Sequence, residues 1–138
     1  MKSLIRNSNQ TKQGIDFTGI EYGKIHPTDI DAVLEFDNEA LILIEVKKKG
    51  SEILTGQRLV LERIADSWHT KKAVVLFVTH CFENENIDIP LAECTVDKIY
   101  LKKEWKPAQR QISLKDTLKG FGEYWGIKKL NKNESKGI

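Results

Sequence analysis

A chain of 138 residues is long enough to bury a hydrophobic core and of a size usual for one domain. Its 22 Lys and Arg stand against 20 Asp and Glu, and the resulting net charge of +2 excludes a global cationic field as the source of any nucleic-acid affinity. Two cysteines, Cys81 and Cys94, without a CxxC pair exclude a disulfide-stapled scaffold and a zinc ribbon, and no apolar run is long enough to span a bilayer.

In chain order, residues 1–14 are polar and read as loose or as a short helix, with no secretory leader. Ile15 to Ile25 is a candidate first core strand, weakened by Gly19 and Gly23. Strands follow over 28–36 and 40–47, joined by a turn at Asp37-Asn38-Glu39, residue types suited to turn dihedrals. Leu61, Ile64, Ala65 and Trp68 recur at helical spacing, which predicts a helix from Leu54 to Thr70. Ala73 to Thr79 is a continuous β-branched, apolar run, the pattern of a strand buried on both faces. A helix leading into such a strand implies a parallel crossover. Residues 81–93 are acidic and read as a surface loop, Thr95 to Tyr100 as a further strand ending in Lys102-Lys103-Glu104, and Pro107 to Gln111 as a linker. Ser113 followed by Asp116 makes a capping-box-like start for a last helix, with Leu114, Leu118, Phe121 and Trp125 as its apolar stripe. Asn131 to Ile138 is polar and expected to fray. The expectation is a single α/β domain built on a mixed sheet of about 4–5 strands flanked by helices.

The stretch from Pro27 to Gly50 carries the chemistry. Alternation puts Asp29, Asp31, Val33 and Glu35 on one face of their strand, and Leu41, Leu43, Glu45 and Lys47 on one face of the next. With the turn centred at Asn38, Asp31 and Glu45 are equidistant from it and become cross-strand neighbours. Two carboxylates so placed repel unless something positive sits between them. A hard divalent ion, Mg²⁺ or Mn²⁺, takes such oxygen ligands. Lys47 points to the same side, where its ammonium can orient a water or balance charge on a phosphate.

Asp31 and Glu45-Val46-Lys47, followed by the helix that Gln57 opens, resemble the PD-(D/E)XK nuclease superfamily. The spacing is that of archaeal Holliday-junction resolvases and RecB-like nucleases, and the string PTDID, IEVKKKG, GQRLVLERIAD is similar to small nucleases of phage and prophage genomes. The resemblance covers roughly residues 14–80 and departs from the pattern at its first half, where Thr28 follows Pro27. It implies a restriction-endonuclease-like core and metal-dependent hydrolysis of phosphodiester bonds, in DNA first and RNA second. It implies metal ligation by Asp31, Glu45 and the Val46 carbonyl, and catalytic roles for Lys47 and Gln57. Asp29 competes with Asp31 or supports it. Lys48, Lys49 and Arg58 become candidate contacts to backbone phosphate. A symmetric homodimer is the form a junction resolvase would take. A cytoplasmic protein with reduced thiols fits this reading.

Plainer readings stay beside it. Gln57 is also a good solvated first-turn residue, and lysine runs are usually solvated edges. The same fold without activity would be a DNA- or protein-binding module, and Asp29, Asp31, Glu45 and Lys47 could be ordinary strand-end residues. A clustered pair of like charges has no purpose in an idle site, which favours the enzyme.

Overall fold

The computed structural model describes residues 14–131, and its contacts divide the chain into a small unit ending at Asp29 and a larger one beginning at Ile30. In the small unit the Asp16 carboxylate accepts from the Thr18 amide at 2.9 Å and the Thr18 hydroxyl at 2.6 Å, which holds its carboxyl below the ordinary value. The expected strand from Ile15 to Ile25 does not form. Only Tyr22 and Ile25 pair, across a turn in which Gly23 takes φ 68°. Glycine at a positive φ ends extended structure, and that outweighs the apolar residues on either side. The polar ends, 1–13 and 132–138, lie outside the described residues.

The larger unit holds a five-stranded sheet in the order β1 (Ala32–Phe36), β2 (Ala40–Lys48), β3 (Ala73–His80), β4 (Thr95–Leu101), β5 (Glu104–Pro107). Only β2 and β3 are parallel. The link between them is α1 (Thr55–Asp66), the expected crossover, which stops at Ser67, short of Thr70. Gly50, at φ 91°, lets the chain leave β2 toward it. Helices α2 (Leu114–Trp125) and α3 (Lys128–Asn131) pack on the opposite face.

The strand pattern explains the three layers. Ile42, Ile44, Val74, Leu76 and Val78 point to α2, where Leu114 and Phe121 meet them. Leu41, Leu43 and Val75 point to α1, where they meet Leu61 and Ala65. Both middle strands are thus apolar on both sides, as the continuous run of β3 predicted for that strand. Leu61 is completely buried, and enclosing such a side chain contributes about 1.5–3 kcal/mol. The last helix begins as expected, with the Ser113 hydroxyl accepting from the Asp116 amide at 3.1 Å.

Two hairpins fix the register. Asp37 and Asn38 take φ 51° and 64°, the left-handed pair of a tight hairpin turn, and Phe36 faces Ala40. Lys102 and Lys103 do the same at φ 53° and 62°, turning β4 into β5, where Leu101 faces Glu104. The second hairpin replaces the expected charged end at Lys102-Lys103-Glu104, and beyond Pro107 the chain is irregular up to Gln111, as the expected linker was. Lysine carries no turn signal, so the sequence pattern hides β5.

Candidate active site

The β1–β2 register pairs Ala32 with Ile44, so one further step sets Asp31 opposite Glu45, as hairpin symmetry requires. Ladder pairing stops there, and the Asp31 carboxylate takes over. Its Oδ2 accepts the Val46 amide at 2.8 Å, which fixes the side chain beside β2. Alternation also breaks at this bend. Ile30, expected on the face opposite Asp31, packs on the α1 side instead, against the cluster of Leu41, Leu43 and Leu61. Asp29 closes the small unit and is exposed.

Glu45 is only 1% exposed, on the α1 side of β2. Its Oε1 lies 3.9 Å from Lys47 Nζ, and its Oε2 is buried with no hydrogen-bond partner. Burial first, and then the Asp31 carboxylate, push the Glu45 carboxyl up to about 8, while Lys47 and Gln57 pull it down. Two ionised carboxylates cannot donate to each other. Once protonated, Glu45 can donate to Asp31, so the pair holds a proton when nothing else neutralises it.

Gln57 stands in the first turn of α1, and its Oε1 is also buried without a donor. That turn contains no acidic residue, and Leu54 before it supplies no side-chain cap. The positive end of the helix is therefore uncompensated beside the two carboxylates. Lys48 is half-exposed and lies 3.8 Å from Glu83, whereas Lys49 is exposed. Arg58 pairs with Glu62, which also accepts from Trp105 Nε1 at 2.6 Å, so Glu62 braces α1 against β5 and Arg58 holds Glu62 in place.

Asp31, Glu45, Lys47 and Gln57 thus converge at one end of the sheet. Thr79 joins them, since it faces Lys47 across the parallel pair and is largely buried. Its signal in the sequence was a polar residue closing a wholly apolar strand. Among the described residues no group of three or more His, Cys, Asp or Glu side chains converges. A cation here would rest on two carboxylates and a carbonyl, leaving places for water and phosphate, which suits Mg²⁺. The donor chemistry and the orphaned Glu45 oxygen fit such an ion. Cys81 is exposed and Cys94 buried. No helix among the described residues is long and apolar enough to cross a membrane. The chain matches no protein-family model, no curated protein and no solved structure.

Proposed function

We propose that the protein is a metal-dependent nuclease with a restriction-endonuclease-like core, hydrolysing phosphodiester bonds in DNA. The observation that carries the reading is the buried Glu45 carboxyl, with one oxygen unpartnered, set against Asp31 and 3.9 Å from the Lys47 ammonium. A purely structural site would not assemble two carboxylates at this cost. Mg²⁺ or Mn²⁺ held by Asp31, Glu45 and the Val46 carbonyl would polarise a phosphoryl oxygen and make water a stronger nucleophile.

The chain's own groups do the rest. The Val46 amide locks the Asp31 carboxylate, so both its oxygens keep a fixed direction. Lys47, partly open to solvent, reaches the same space and can hold an attacking water or offset charge developing on the phosphate. Gln57 Oε1 lacks a donor and can accept a hydrogen bond from that water, which orients it. The bare first turn of α1 favours a phosphate nearby. Lys48 remains a candidate for a phosphate contact. Cleavage of labelled plasmid, single-stranded and branched DNA in Mg²⁺ or Mn²⁺, against EDTA and against Lys47→Ala, tests the proposal. Metal-dependent cutting lost in Lys47→Ala supports it. Absence of cutting by folded protein on every substrate overturns it in favour of a binding module.

A further inference from the structure

Beside the carboxylate site the same end of the sheet opens into a cavity of about 570 Å³, between the turn after β2, the end of β3, the start of β4 and the segment after β5. Its size lies within the range of about 300–1,000 Å³ that encloses one small-molecule-sized ligand. Thr79 lines it and is also the register partner of Lys47, so the cavity begins one strand spacing, about 4.8 Å, from the candidate catalytic lysine. Lys49 and Arg110 are exposed residues of its lining, and neither forms an ion pair among the described residues. Val96 and Ala108 supply an apolar wall, Thr95 and Gln111 groups that hydrogen-bond a base edge, and Asp97 is the one carboxylate in the lining.

A recess with exposed cations in its lining and mixed polar and apolar walls suits a nucleotide whose base is unpaired. In a duplex the bases are stacked inside and only phosphates face outward, so a duplex leaves such a recess empty. A flexible single strand can turn a base into it while the adjoining phosphate lies across Lys47. We infer that this cavity receives one unpaired nucleotide next to the phosphate at the carboxylate site, and that the substrate is single-stranded nucleic acid or a single-stranded segment of a branched one. That the adjoining phosphate is the one cut rests on the nuclease reading, whereas the binding itself does not.

Cys81 lines the cavity and is exposed, while Cys94 is buried and serves as an internal control. The test follows the rate of Cys81 alkylation by iodoacetamide in the intact chain, in EDTA so that nothing is cut. Oligo(dU) and oligo(rU), which differ in the sugar alone, are compared with a duplex of the same length. Single strands are expected to slow alkylation at least about fivefold and the duplex to leave it unchanged, and whichever of the two polymers protects better names the sugar. Arg110→Ala, at an exposed position without a side-chain bond, should weaken single-strand binding about tenfold with an unaltered melting temperature. Ser51→Trp, in the exposed turn after β2, should fill the cavity and abolish protection. Equal protection by duplex, or undiminished binding by Arg110→Ala, overturns the inference. Protection without any metal-dependent cutting of the same strand leaves the cavity assignment standing and removes the nuclease reading. Cutting without protection does the reverse.

Discussion

At the end of the sheet where β1 turns into β2, charges come in pairs. Glu39 meets Lys72 at 2.6 Å, Asp37 meets Lys129 at 2.5 Å, and the Glu39 carbonyl accepts from Trp68 and Thr70. Tyr100 donates to Asp66 nearby, and burial first and then that carboxylate push its hydroxyl up to about 12. At the opposite end, Glu45 is buried against another carboxylate and Gln57 Oε1 has no donor. One end is arranged for stability. The other keeps unsatisfied polar groups that a folded chain tolerates only if something else completes them.

Four experiments break or sharpen that contrast. The largest effect should come from Lys47→Ala, expected to reduce metal-dependent cleavage by about 10²–10³-fold, measured as initial rates on a labelled strand. Unaltered rates would remove Lys47 from the chemistry.

The second concerns pH. Folded Glu45 holds its proton up to about 8, against 4.5 for the ordinary group, so between those values the folded state binds the extra proton. The contribution of Glu45 to the stability of the metal-free protein is therefore fully present below pH 4.5 and is lost as pH rises toward 8. The slope is at most about 1.4 kcal/mol per pH unit. Glu45→Gln should flatten that slope and abolish cleavage together. Denaturant titrations in EDTA at several pH values give the answer, and a flat wild-type curve would mean the carboxylates are not buried side by side.

Along α1, where a carboxylate does have its partners, the signs reverse. Glu62→Ala leaves Trp105 and Arg58 without their acceptor and should cost about 1–3 kcal/mol of stability with cleavage retained. Loss of cleavage without loss of stability would tie Glu62 to the site. The smallest effect is expected for Lys103→Gly, which relieves a left-handed lysine at φ 62° and should raise stability by about 1 kcal/mol in thermal unfolding.

Where the sequence was legible, side-chain chemistry and backbone periodicity agreed. The alternation of Leu41 through Lys47, the turn types at Asp37 and Asn38, and the apolar run of β3 led to the central strands and to the Asp31–Glu45 pairing. Ile15 to Ile25 misled because apolar residues outnumber the glycines, yet positive φ at Gly19 and Gly23 decides the backbone. The β4–β5 hairpin was hidden because its turn is built from lysines in a conformation they disfavour. The bend that sends Ile30 toward α1 depends on Asp31 finding the Val46 amide, a contact between residues distant in sequence that strand alternation alone does not reveal. Arg110 was visible only as one more positive charge until the strands brought it to the cavity.

The seat of Asp31 has a kinetic side. It precedes β1, a strand of five residues at the edge of the sheet, and its carboxylate is tethered through one amide of β2. Edge strands open more readily than the core they border. Heating should therefore dismantle the carboxylate pair before the sheet melts, so that activity is lost reversibly below the unfolding transition. Deuterium uptake at the Val46 amide reads out how long the pair stays assembled.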